Sequence, residues 1–321
     1  MVFPGQGSQS VGMLAALADG CAEIADTFAE AATVLGYDLW SLVQDGPAER
    51  LDETVVTQPA MLTAGVATWR AWCAGGGEAA AHMAGHSLGE YTALVCAGAL
   101  PFADAVRLVK RRAELMQAAV PAGNGAMAAI LGLDDDGVIE VCRSAAQGQV
   151  VSAANFNSPG QIVIAGERAA VERAAEQAKS AGAKRALLLS VSVPSHCELM
   201  RPAAAELAKS LVAAPFSKPA IPVIGNAHVN IYEDADQIRA GLVQQLYSPV
   251  RWTDTICDLI ARGTTTIIEC GPGKVLTSLA RRIDRGVTAI SIDTPEAMHT
   301  ALKDHKLTGS TTQPQIQGAT Q

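Results

Sequence analysis

The sequence predicts an α/β protein: a mainly parallel sheet covered by helices, with a ferredoxin-like βαββαβ unit inserted in it. Three observations lead there. Short apolar strand patterns alternate with helical ones towards both ends of the chain, as parallel strands joined by crossover helices require. A middle stretch changes rhythm to strand, helix, two strands, helix, strand. The 321 residues, 49% of them hydrophobic, suffice for one large domain with a smaller insert around a real core.

VFPGQGSQ at 2–9 reads as the end of a short strand running into a glycine loop, and helical periodicity then covers about 13–35 and 59–74. MAGHSLGEYTALVCAG at 83–98 combines a small-residue approach, a tight turn and an apolar helix. Pro101 suits the first turn of a helix that runs to about Gln117. Next, Gly125–Leu133 reads as a strand and DDDGVIEVCRSAA as a helix with acids at its N-terminus, where the helix dipole favours them. QVVSAANFN is a strand, SPG a turn, QIVIAG a strand, RAAVERAAEQAKSAGA a helix and KRALLLSVS a strand. The insert therefore spans 124–192, leaving 1–123 and 193–305 as the main α/β core. In the second core segment, ELMRPAAAELAKSL is a helix and IPVIGN a strand, and two helices lie within 235–262. The strand TTIIEC, the helix opened by GPGKVLTSLARRI and the strand VTAISI complete it. The polar, aperiodic stretch 306–321 is expected to be a disordered tail.

Composition removes several function classes. A net charge of -8 argues against nonspecific nucleic-acid binding. No Lys or Arg precedes Arg50, so neither a secretory nor a transit signal is expected. Uncharged runs such as Leu115–Leu133 are broken by Pro, Gly and Asn, so no membrane span is expected. The seven cysteines are scattered without CxxC, which points to reduced thiols in a cytoplasmic protein rather than to disulfides or zinc. A monomer is expected.

Gly85-His86-Ser87-Leu88-Gly89 fits G-x-S-x-G, the strand-to-helix turn that projects a nucleophilic serine, with the next N–H (Leu88) free to stabilise an oxyanion. The competing interpretation is a plain glycine turn; the strand pattern before it and the apolar helix after it favour the nucleophile. His82, His86 and Glu90 are spaced i, i+4, i+8, but H-E-x-x-H is absent and the glycines break a continuous helix, so no metal site is expected. GQGSQS and CGPGK lack the further glycines of dinucleotide and phosphate loops, so no nucleotide cofactor is expected either.

A serine hydroxyl needs a base. Among six histidines, His299 and His305 lie near the tail and His86 adjoins the serine. His196, in SVPSHCEL, sits where a strand ends and a helix begins, the position at which α/β sheets present catalytic groups; His228, just after another strand, is its rival. On the helix FADAVRLVKRRAELMQ, Arg112 falls at the edge of the apolar sector while Arg107, Lys110 and Arg111 point away from it. A charge placed there is either paired within the protein or offered to a carboxylate.

VFPGQGSQ, TQPAMLTAGVA, AGHSLGEYTALVCAG, VKRRAELMQ, NFNSPGQIVIAG, VSVPSHCELM, QLYSPVRW and ECGPGKVLTSLARRI together resemble the bacterial malonyl-CoA:acyl carrier protein transacylases, in order, over about residues 2–300. The resemblance implies an α/β-hydrolase-like core with a ferredoxin-like subdomain. It implies ping-pong transfer of malonyl from malonyl-CoA to the phosphopantetheine thiol of holo acyl carrier protein, for fatty-acid elongation, without cofactor. It implies Ser87 as the acylated nucleophile, His196 as its base and Arg112 as the partner of the malonyl carboxylate. The N–H groups of Gln6 and Leu88 would form the oxyanion hole. The Gln245 main-chain carbonyl would orient the histidine, and Gln58, His86, Asn155 and Asn157 would line the site. The acidic carrier would dock on charges such as Lys184, Arg185, Lys274, Arg281 and Arg282. The chain has fewer first-strand residues before FPGQG than members of that family usually have. Alternatives are a trans-acting acyltransferase of a polyketide pathway, a generic serine esterase or thioesterase, and a non-catalytic carrier-binding scaffold.

Overall fold

The computed structural model describes residues 1–121, 123–189 and 193–308. Along the chain the elements are β1 (Val2–Phe3), α1 (Ala15–Ala18), α2 (Ala22–Leu35), α3 (Leu39–Asp45), α4 (Ala48–Leu51), α5 (Thr54–Ala74), β2 (Met83–Gly85), α6 (Gly89–Cys96) and α7 (Phe102–Ala119). A second group follows, β3 (Gly125–Leu131), α8 (Asp135–Ala146), β4 (Val151–Ser158), β5 (Gln161–Glu167), α9 (Arg168–Ser180) and β6 (Arg185–Leu188). The chain then forms α10 (Arg201–Ala213), β7 (Val223–Ile224), α11 (Ala235–Gln245), α12 (Trp252–Ala261), β8 (Thr266–Glu269), α13 (Val275–Ile283), β9 (Thr288–Ser291) and α14 (Pro295–Thr308).

Five strands form a wholly parallel sheet in the order β7-β2-β1-β8-β9. Successive side chains on a strand point to opposite faces, and the two faces bury different helices. Phe3, Met83, Val223 and Ile268 join the larger core with α2, α5, α6, α7 and α10. Val2, Ala84, Ile224 and Ile267 pack instead against Trp252 and Ile256 of α12 and Leu276 and Leu279 of α13. The two-residue β1 holds the sheet centre, paired with β2 on one side and β8 on the other.

The second sheet is antiparallel, in the order β4-β5-β3-β6, which is the ferredoxin-like arrangement expected from the βαββαβ pattern. One face, with Ala128, Ile130, Ile162 and Ile164, is covered by α8 and α9. The other face presents Met127, Val163 and Ala165 to Cys197, next to His196. A bridge between Asn155 and Val250 joins the two halves.

Several boundaries differ from the sequence expectation. The pattern over 13–35 divides at Gly20 and Cys21, where extended Cys21 caps a separate α2. The helix expected from 59 begins at Thr54 with Pro59 inside it; because nearly all of α5 is buried, packing outweighs the hydrogen bond that proline cannot donate. ELMRPAAAELAKSL opens with a 3-10 turn, Glu198–Met200, before α10. IPVIGN contributes only Val223–Ile224 to the sheet. Of KRALLLSVS, residues 190–192 lie outside the described residues, as do residues 309–321 of the expected tail, while α14 runs on to Thr308.

Candidate active site

The sharp turn after β2 sets the nucleophile. Ser87 has φ 52°, in the left-handed region, which places it on the strained elbow that G-x-S-x-G demands. Only glycine fits beside it, because a Cβ on Gly85 would sit 1.9 Å from the Gly89 carbonyl carbon, and one on Gly89 2.1 Å from the Phe3 oxygen. The turn is clamped from outside. Asn226, just past β7, accepts from the Ser87 N–H (2.7 Å) and donates to the Gly85 carbonyl (2.7 Å). Gln245 Nε2 donates to the Ser87 carbonyl (2.8 Å).

His196 Nε2 lies 2.8 Å from Ser87 Oγ, and Nδ1 lies 2.8 Å from the Gln245 main-chain oxygen. A carbonyl can only accept, so Nδ1 carries the proton and Nε2 offers its lone pair to the serine hydroxyl. Burial, followed by the nearby Arg112 charge, pushes the His196 pKa down to about 3. The ring is therefore neutral at physiological pH. The rival His228 is exposed and bound to Gln244 Oε1 at 2.7 Å.

Arg112 is buried, 1% exposed. Nη1 donates to Gln58 Oε1 (2.7 Å), and Nη2 donates to Gln245 Oε1 (2.9 Å) and Ser87 Oγ (3.3 Å). Nε is buried without a partner, and no salt bridge from Arg112 to a carboxylate occurs among the described residues. The guanidinium thus keeps an unspent charge and an unspent donor beside the serine.

Of the ten sequence-selected residues, all but Gln245 border one cavity of about 210 Å³ between the two sheets; Gln245 stands behind His196 and Arg112. The backbone N–H groups of Gln6 and Leu88 meet no acceptor among the described residues. Gly5 presses the PGQG loop onto the elbow, since a Cβ there would lie 2.5 Å from the His86 oxygen. Gln58 Nε2 donates to Thr54 Oγ1 (3.0 Å), whose hydroxyl donates to Gln6 Oε1 (3.1 Å). His86 Nε2 pairs with Asn157 Oδ1 at 2.8 Å, and Asn155 Oδ1 is buried without a partner.

Sequence reasoning missed Asn226 and Tyr232, and it met Glu90 only in the metal spacing that it set aside. Glu90 Oε1 accepts from Tyr232 Oη (2.6 Å), and its Oε2 accepts from the Asn226 N–H (3.0 Å) and Gln245 Nε2 (3.0 Å). Asn226 ends a strand just as the candidate histidines do, and that was its only signal.

The family model described as the acyl transferase domain matches residues 1–310. The chain belongs to the acyl transferase domain family. It is 58% identical over 302 residues to the malonyl CoA-acyl carrier protein transacylase of Escherichia coli strain K12, covering 94% of this chain and 98% of that protein. Among solved structures of this family, the acyl carrier protein S-malonyltransferase of Vibrio cholerae superposes with a TM-score of 0.91 at 57% identity, covering 93% of this chain and 98% of that one. A malonyl-transacylase solved in complex with a type II PKS holo acyl-carrier protein superposes with a TM-score of 0.94 at 55% identity, covering 95% and 98%.

Proposed function

We infer that the chain is a malonyl-CoA:acyl carrier protein transacylase that supplies fatty-acid elongation through a malonyl-Ser87 intermediate. One observation carries this reading: a serine–histidine pair at 2.8 Å shares its cavity with a buried arginine that has no carboxylate partner among the described residues. A generic esterase has no use for that charge, whereas a malonyl group brings the carboxylate that completes it.

In the first half-reaction the Ser87 hydroxyl proton passes to His196 Nε2 as Oγ attacks the thioester carbonyl. The oxyanion is taken by the N–H groups of Gln6 and Leu88. The C–S bond breaks, His196 returns the proton to the departing coenzyme A sulfur, and malonyl-Ser87 remains. The carrier's phosphopantetheine thiol then gives its proton to His196 and attacks the serine ester, and Ser87 leaves with that proton. The main-chain carbonyl of Gln245 holds the ring through both halves and becomes its partner as imidazolium. The steps as written call for no metal ion or nucleotide cofactor, and the reaction belongs in the cytoplasm with its soluble substrates.

The test is incubation with malonyl-CoA and holo acyl carrier protein. The expected result is a malonylated carrier and one equivalent of free coenzyme A. Release of free malonate with an unmodified carrier contradicts the reading in favour of a hydrolase. The relative solved with a type II PKS carrier supports the same chemistry in a polyketide pathway; side-by-side rates with the two carrier types decide between them.

A further inference from the structure

Glu90 lies three residues after the nucleophile and is fully buried, yet it touches no reacting group. All three of its contacts are donors: the Tyr232 hydroxyl, the Asn226 N–H and the Gln245 side-chain amide. That set suits an ionised carboxylate, which only accepts. Burial pushes its pKa up, while those bonds and the Arg112 charge oppose the shift.

The Gln245 amide links this buried acid to the guanidinium. Its two hydrogens go to acceptors, Glu90 Oε2 at 3.0 Å and the Ser87 carbonyl at 2.8 Å. Its oxygen faces Arg112 Nη2 at 2.9 Å. The amide is thus held in one orientation, with an acceptor-only group at one end and a donor-only group at the other. Among the described residues the other side-chain hydrogen bonds of Arg112 go to Gln58, from Nη1, and to the Ser87 hydroxyl, from Nη2. Nη2, the nitrogen that points at Ser87 Oγ, is placed from the Glu90 side.

We propose that Glu90 is a positioning residue for substrate selection: through the Gln245 amide it fixes the Arg112 guanidinium where an acyl carboxylate meets it beside Ser87. The inference rests on the transacylase reading and deepens it.

Two variants separate reach from charge. Glu90→Gln keeps the reach. Its amide oxygen can take the Oε2 position and accept from Asn226 and Gln245, and its amide group can donate to Tyr232, whose hydroxyl rotates to accept. Glu90→Asp keeps the charge but withdraws it by one methylene from Gln245. The readout is the ratio of kcat/KM for malonyl loading to that for acetyl loading, followed by intact mass, since acetyl has no carboxylate for Arg112. Glu90→Gln is expected to hold the wild-type ratio within about threefold. Glu90→Asp is expected to lower it by about tenfold, the loss of one well-made hydrogen bond, with acetyl loading little changed.

A ratio held by both variants, lost by both, or lost by Glu90→Gln and held by Glu90→Asp overturns the proposal. If Glu90→Asp does not fold, as judged by thermal melting, Gln245→Met takes its place. It keeps the main-chain carbonyl that orients His196 and removes the amide, and the same fall in the ratio is expected; an unchanged ratio overturns the proposal. A wild-type chain that accepts no malonyl group sinks the transacylase reading and this inference together, whereas normal wild-type loading with an unmoved ratio sinks the inference alone.

Discussion

Replacing Arg112 by alanine removes the buried cation of the cavity and leaves Ser87, His196 and both oxyanion donors in place. In the resting site its Nη1 and Nη2 are held by Gln58 and Gln245 at 2.7 and 2.9 Å, and Nη2 also lies 3.3 Å from Ser87 Oγ. A carboxylate that takes the place of Ser87 Oγ on Nη2 can set its two oxygens on Nη2 and on Nε, which has no partner among the described residues. Two charge-assisted hydrogen bonds at about 1.5–3 kcal/mol each amount to about 3–6 kcal/mol. Such a loss lowers kcat/KM for malonyl-CoA by about 10²–10⁴-fold. Acetyl-CoA has no carboxylate to lose, so its loading is expected to stay within about tenfold of wild type. The assay compares steady-state loading from the two thioesters at matched enzyme concentration, with thermal melting as a folding control. Equal losses on both substrates in a folded variant would refute the carboxylate role of Arg112.

The pH dependence follows from His196. Its folded pKa of about 3 lies below the ordinary 6.5, so the free enzyme keeps its base neutral well into the acid range. The profile of kcat/KM for malonyl-CoA should therefore show no acid limb near pH 6.5; a limb there contradicts the burial argument. By the same linkage, stability should fall as pH drops below about 6.5, where the unfolded chain takes up a proton that the buried ring refuses. Asn226→Ala orphans the Ser87 N–H and the Gly85 carbonyl, which should cost about 1–3 kcal/mol in denaturant unfolding. It should slow malonyl and acetyl loading alike; a loss confined to malonyl contradicts a role at the elbow. Lys184, Arg185, Lys274 and Arg282 are exposed, and Arg282 bonds Gln161, which shares Leu131 as strand neighbour with Arg185. If this basic group docks the carrier, transfer to it should slow between about 0.05 and 0.5 M salt; a constant rate contradicts docking there.

The elbow was legible because its demands are local: two glycines, a serine, an apolar strand before and a helix after. The βαββαβ unit was legible for a similar reason, since periodicity alone orders its strands and helices. Arg112 announced itself by helical phase, because neighbouring cations on α7 point outward. The choice between His196 and His228 was not local. Both follow strands, and only the chain path that brings His196 against Leu246 and Gln245 separates them. The role of Glu90 was hidden for the same reason. Its partners lie 136–155 residues away, so the sequence offered only an acid in the first turn of a helix. The helix start expected at 59, and the break at Gly20 and Cys21 within 13–35, were missed where packing, rather than propensity, decides the boundary.

The central claim is that an acyl group from malonyl-CoA becomes bonded to Ser87, and intact mass spectrometry of the protein after brief exposure to malonyl-CoA tests it most directly. The account predicts one malonyl group on the wild-type chain, located on Ser87 by peptide mapping, and none on Ser87→Ala. An unmodified wild-type chain, or a malonyl group that persists on Ser87→Ala, would contradict it.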